Sequence, residues 1–318
     1  MPAPERIPAG SVTPVELLTR GELTVRGQIR EASNAVLYCT IAYEEQTAAC
    51  VYKPVAGERP LWDFPDGTLA RREVAAYEVS EALGWGLVPP TVLRDGPYGE
   101  GMVQLWIEAG DGADAAAPEA DDAAAGGTDG GAAPGTDDAP APGAGDGVGG
   151  ADGDGGAGAE LLALVEGDEP GDGWKAIGYA QVEEGRTALL VHADDARLRR
   201  LAVLDAVINN ADRKGGHLLP GRDGRLFGID HGVTFNVADK LRTLLWGWAG
   251  EKLPDEAVTA LGALREALAA GAPLAGRLGE LLTPAEVDAV RGRVAALLAS
   301  GRHPAPSGEW PAIPWPPV

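Results

Sequence analysis

The stretch Leu204-Asp205-Ala206-Val207-Ile208-Asn209-Asn210-Ala211-Asp212-Arg213-Lys214-Gly215-Gly216-His217 decides how this chain is read. Its first residues continue a helical pattern over 197–209, with Leu201, Leu204, Val207 and Ile208 on one apolar face and Asp194 or Asp195 as N-cap. The helix then runs into a dense polar loop. Helix ends often carry Asn and Gly, but they do not usually gather two amides, an Asp, an Arg and a Lys. Asp212 is the candidate base or hydroxyl-orienting group, and Lys214 the candidate for stabilising charge on a transferred group. Downstream, in Phe227-Gly228-Ile229-Asp230-His231-Gly232, a short apolar strand presents Asp230 at its end and Gly232 lets the chain turn away. Magnesium prefers carboxylate oxygen, so Asp230 is the natural metal ligand.

Upstream, Val51-Tyr52-Lys53-Pro54 ends a strand whose other residues are mostly apolar or small, so Lys53 projects from a fixed base. Glu73 follows in the helix Arg71-Arg72-Glu73-Val74-Ala75-Ala76-Tyr77, with Glu78 and Glu81 as competing partners. A lysine on nucleotide phosphates, a carboxylate on magnesium and a carboxylate near an acceptor hydroxyl are the parts that phosphoryl transfer requires.

The elements between these clusters alternate in period. Residues 23–29 alternate apolar and polar as a strand does, and 35–43 and 47–52 flank a polar turn at Glu44-Glu45-Gln46, a hairpin signal. Residues 68–83 switch to helical spacing, stopped by Gly84 and Gly86, and 88–93 and 101–107 return to extended structure. After residue 160 come an apolar run at 161–165, a small hairpin from 176–182 and 187–192, the helix above, a buried strand at 226–229, and helices at 255–268 and 284–299. Trp246 and Trp248 are expected to pack the second block, and the Pro/Trp tail at 310–318 to lie against it.

Composition narrows the function. The chain has 318 residues, 45% hydrophobic, with a formal net charge of −22 and a pI near 4.5. Without a Lys/Arg run, it lacks the means to neutralise phosphates of nucleic acid or of anionic lipid, so neither a nucleic-acid partner nor stable membrane association is expected. No stretch nears the ~20 apolar residues of a membrane span, and the N-terminus has no signal-peptide pattern, which implies a cytoplasmic protein. Cys39 and Cys50 fit that compartment as reduced thiols, although a two-residue turn at Glu44-Glu45 sets them opposite each other. Residues 110–159 are Gly, Ala, Asp and Pro with almost no large apolar side chain, and are expected to be a disordered insertion. The expected organisation is therefore a sheet-rich block at 1–109, the insertion, and a mainly helical block at 160–318.

Over residues 27–107 and 198–236 the chain resembles a bacterial member of the phosphatidylinositol 3/4-kinase-like superfamily, nearest to type II phosphatidylinositol 4-kinases and more distantly to HipA-type kinases. The resemblance implies an α+β, bilobal protein-kinase-like fold with an antiparallel-sheet N-lobe and a mainly helical C-lobe. It implies that ATP and Mg2+, or Mn2+, serve as cofactors. By it, Lys53 is the nucleotide lysine and Glu73 its helix partner. Ser33 and Asn34, in Ala32-Ser33-Asn34-Ala35, lie in the phosphate-covering loop, and Gln104, Leu105 and Trp106 in the hinge that reads adenine through backbone groups. Asp212-Arg213 matches the catalytic loop, and Asp230-x-Gly232 the metal-binding segment. One position departs: the second magnesium ligand of the family, usually Asn five residues after the catalytic Asp, is here His217. Imidazole suits transition metals better than magnesium. The expected activity is an ATP-dependent phosphotransferase whose acceptor is a protein or small soluble molecule. The alternatives are a nucleotide-binding pseudokinase scaffold, or an interaction protein working through its acidic insertion.

Overall fold

The computed structural model describes residues 12–29, 34–59, 61–64, 68–108, 161–183 and 186–315. Ser33 and the expected insertion at 110–159 lie outside the described residues.

The chain is a mixed α/β protein. A short helix, α1 (Pro14–Arg20), capped by Thr13 with Pro14 at its first turn, precedes the expected strands. Strands β1 (Glu22–Gln28), β2 (Leu37–Tyr43), β3 (Gln46–Pro54), β4 (Thr91–Gly96) and β5 (Gly99–Leu105) form one antiparallel sheet in the order β1-β2-β3-β5-β4. The β2–β3 turn is the two-residue Glu44-Glu45, with Glu44 at positive φ, so Cys39 pairs opposite Cys50. Both remain free, buried thiols, and burial pushes them up to about 11 and about 12. One face of the sheet closes on α1, where Leu17 and Leu18 meet Ile41, Tyr52, Val92 and Val103. Gly101 is required there: a Cβ would stand 2.5 Å from the Tyr52 ring and from the Lys53 carbonyl.

Between β3 and β4 runs α2 (Leu69–Leu83), capped by Thr68 and ended by Gly84 at φ 73. Glu58 adds a second cap, its two carboxylate oxygens accepting the N–H groups of Leu69 and Ala70. Ten of its fifteen residues are buried, because α2 is wrapped by both halves of the chain. Ala70, Val74, Ala75 and Val79 share one core with α3 (Ala196–Ile208), α4 (Asp255–Ala267), α5 (Pro273–Leu281) and α6 (Pro284–Ser300). Arg72 fixes the join, reaching Glu286 of α6 at 2.6 Å and the Thr234 carbonyl at 2.6 Å.

The second half also holds the strands β6 (Leu162–Val165), β7 (Trp174–Glu183) and β8 (Arg186–Ala193), ordered β6-β8-β7, and a small hairpin of β9 (Leu218–Pro220) and β10 (Leu226–Gly228). Trp248 is fully buried and Trp246 nearly so, as expected. The tail meets this half through the Ala312 carbonyl, which accepts from Trp246 Nε1 at 2.8 Å and from Thr243 N at 3.1 Å. Helices α1 and α5 were not expected from the sequence.

Candidate active site

Lys53 leaves β3 into a cavity of about 270 Å³ lined by Asn34, Lys53, Glu73, Asp212, Asp230 and Gly232 among others. Residues from both halves of the sequence thus meet in one space. Lys53 Nζ donates to Glu73 Oε1 at 2.7 Å and to Asp230 Oδ1 at 2.9 Å. Burial opposes its charge, but the two carboxylates outweigh that and hold the ammonium above its ordinary pKa. Asp230 is held well below the usual carboxylate range, by Lys53 first, against burial, and then by His217. Glu73 is nearly inaccessible, and burial pushes its carboxyl up while Lys53 pulls it down. Of the three carboxylate candidates on α2, the structure selects Glu73; Glu78 instead accepts from Arg277 at 3.0 Å.

Asp230 follows β10 in the left-handed region, with φ 60. A non-glycine residue there costs conformational energy, and such strain persists where the surroundings over-determine it. Here they do: Ile229 N donates to the His217 carbonyl and His231 N to Glu73 Oε2. Its side chain, half exposed to the cavity, keeps Oδ2 turned toward His217 Nε2 at 3.4 Å.

The loop after α3 begins with Asn209, also left-handed at φ 54. Its amide donates to the Asn236 and Ala238 carbonyls and accepts from Lys240 N. Asn210 donates to Asp205 and accepts from Asp212 N. Both amides are thus engaged in shaping the loop. Arg213, fully buried, closes on the equally buried Asp205 through Nε and Nη2. Asp212 is left facing the cavity, with Lys214 Nζ 3.2 Å from its Oδ2.

His217 sits one turn on, its Nδ1 accepting from Lys214 N at 3.5 Å. That bond leaves the ring proton on Nε2, toward Asp230, so in this arrangement His217 is a donor to the carboxylate. Its pKa is lowered, by burial first. Among the described residues no group of three or more His, Cys, Asp or Glu side chains is placed to hold a metal ion. A magnesium ion does not need one, because it commonly takes one or two protein carboxylates and completes its shell with phosphates and water. The half-exposed, ionised Asp230 fits that demand.

Asn34 accepts from Arg59 N at 2.9 Å, which ties the loop before β2 to the segment after β3 at the cavity wall. In the expected hinge, Gln104 is buried with its amide on Thr91 Oγ1, and the N–H groups of Leu105 and Trp106 are taken by the carbonyls of Pro90 and Ala49. These two N–H donors are spent inside the sheet. Three residues central to the site carried no individual expectation: Asp205, His231 and Glu58. Asp205 meets Arg213 eight residues on and His231 meets Glu73 158 residues away, and no local pattern marks such links.

No helix among the described residues is long and apolar enough to cross a membrane. No family model matches the sequence. Solved structures that resemble the chain include hydra Fam20 with sugar (TM-score 0.45, 12% identity, 90% of this chain and 86% of that one). Another is the Golgi casein kinase (0.39, 12%, 92% and 79%), also with Mn/ADP bound (0.44, 12%, 90% and 74%). In sequence, the chain is 45% identical over 301 residues, 94% of each chain, to Protein Rv2133c of Mycobacterium tuberculosis (strain ATCC 25618 / H37Rv). Similarity of that extent shows that the chain belongs to the family of Protein Rv2133c.

Proposed function

We propose that the chain is an ATP-dependent phosphotransferase of the phosphatidylinositol 3/4-kinase-like kind, acting on a hydroxyl of a protein or small soluble acceptor. The observation that carries this reading is the sharing of Lys53 between Glu73 and Asp230, with Asp212 lining the same cavity. Lys53, held at a fixed height by Glu73, binds nucleotide phosphate oxygens. Asp230 would hold the magnesium or manganese ion, whose chemistry is to neutralise charge on the phosphates. Asp212 orients the acceptor hydroxyl and receives its proton, and Lys214 beside it offsets charge on the transferred phosphoryl group. With Lys53 on one oxygen and His217 near the other, the half-exposed Asp230 carboxylate keeps further lone pairs that would hold the metal.

A second reading, a nucleotide-binding pseudokinase, draws on His217 and on the occupied N–H groups of Leu105 and Trp106. The test is transfer of labelled γ-phosphate from ATP to a panel of protein and small-molecule acceptors. The phosphotransferase reading expects transfer that Asp212→Ala reduces at least ~100-fold while the melting temperature stays near wild type. Transfer undiminished in Asp212→Ala would remove the assignment, and nucleotide binding without any turnover would favour the pseudokinase.

A further inference from the structure

The residue between Asp230 and Gly232 is a histidine whose ring is wholly buried. On one side, Arg213 Nη2 lies 2.6 Å from its Nε2. A guanidinium can only donate, so Nε2 is the acceptor and the ring proton sits on Nδ1. On the other side, Nδ1 faces Glu73 Oε2 at 4.0 Å, and the backbone N–H of the same residue donates to that oxygen at 2.8 Å. Among the described residues Nδ1 itself makes no hydrogen bond. The ring therefore stands between Arg213, itself locked on Asp205, and the carboxylate that holds Lys53.

We infer that His231 is a positioning residue that sets Glu73, and through it Lys53, against the catalytic loop. Asp205, Arg213, His231, Glu73, Lys53 and Asp230 form one continuous polar line from the core of α3 to the cavity. All but its last two members are buried, where a polar group without partners is costly, so each member restricts the next. The imidazole is bonded to the loop arginine, and its own backbone N–H is bonded to the α2 carboxylate. An apolar side chain of similar size would fill the space but lose Arg213, which anchors the peptide N–H that holds Glu73. The inference rests on the phosphotransferase reading only for what the cavity does; the positioning itself is a statement about Lys53.

The experiment measures acylation of Lys53 by an amine-reactive ester in the purified full-length chain without nucleotide, quantified by mass spectrometry. His231→Leu should raise Lys53 labelling at least ~5-fold, since a lysine whose carboxylate partner is no longer held in place is more mobile and more open to the reagent. His231→Gln, whose amide oxygen can still accept from Arg213, should stay within about twofold of wild type. If His231→Leu does not fold, His231→Asn, polar but too short to reach Arg213, replaces it with the same expected rise. Lys53 labelling unchanged in a folded His231→Leu or His231→Asn protein would overturn the inference. So would a His231→Gln protein that labels like the leucine variant. Wild-type protein inert toward ATP would remove the proposed function and leave this outcome readable.

Discussion

Lys53 Nζ and Glu73 Oε1 are 2.7 Å apart, joining the end of β3 to a helix whose other faces belong to the second half of the chain. The pair is unequal: Lys53 is one-fifth exposed and Glu73 nearly inaccessible. Removing the lysine strands a buried carboxylate, which costs several kcal/mol when the group is fully enclosed and less when water can reach it. Lys53→Ala is expected to lower unfolding stability by about 2 kcal/mol in urea titration. Adding Glu73→Gln to that variant should return most of the loss. A double variant that is simply the sum of two penalties would show that the two side chains are not coupled.

Arg72 and Glu286 link the two halves, 2.6 Å apart and both buried. Arg72→Ala leaves Glu286 with only its capping contacts to Thr283. The expected cost is about 3 kcal/mol, read as a lower denaturation midpoint. Because α2 shares one core with α3 to α6, unfolding followed by far-ultraviolet dichroism and by tryptophan fluorescence should still coincide.

His192 and His303 flank the buried Trp248 ring and are both held neutral. His192 Nε2 accepts from Gly247 N, and burial lowers its pKa. His303 is lowered to about 4, by burial first and then by Arg199, whose Nε donates to it. The unfolded chain takes up these protons near pH 6.5 and the folded chain does not. Their contribution to stability is therefore complete above pH 6.5 and lost as pH falls toward 4, with roughly 3 kcal/mol from His303 alone. A melting temperature that declines from pH 7 to pH 5, with a flatter decline in His303→Gln, is the expected result. No change over that interval would show that these imidazoles titrate freely in the folded state.

Cys39 and Cys50 lie opposite each other on β2 and β3 as free thiols, both inaccessible and pushed to about 11 and about 12. Since the thiolate is the nucleophile, native protein at pH 8 should resist iodoacetamide for hours, and unfolded protein should take up two labels.

Much of this arrangement was legible in local pattern. The hairpin turn at Glu44-Glu45, the helix stop at Gly84 and the apolar run into Asp230 are short-range signals, and each produced the element expected. Helix α5 escaped notice because Gly276 and Gly279 weaken its helical signal, leaving Pro273 at its start as the main cue. The seven residues of α1 offer too short a period to read. At the site, Lys53 ends a strand of mostly apolar or small residues, but the helix after it offered Glu73, Glu78 and Glu81, and the resemblance, not local pattern, pointed to Glu73. Asp205 was hidden inside an apolar helix, where its role depends on an arginine eight residues on that folds back over it. In the expected hinge, sequence does not display that the N–H groups of Leu105 and Trp106 are already spent within the sheet.

If Lys53, Asp212 and Asp230 line one phosphotransfer site, the decisive measurement is ATP turnover with magnesium and manganese in parallel. The wild-type chain is expected to turn ATP over in a metal-dependent manner, and Asp230→Asn to lose at least ~100-fold of that rate while retaining its fold. Metal-dependent turnover that persists in Asp230→Asn, or no nucleotide bound by the wild-type chain under either metal, would contradict the account.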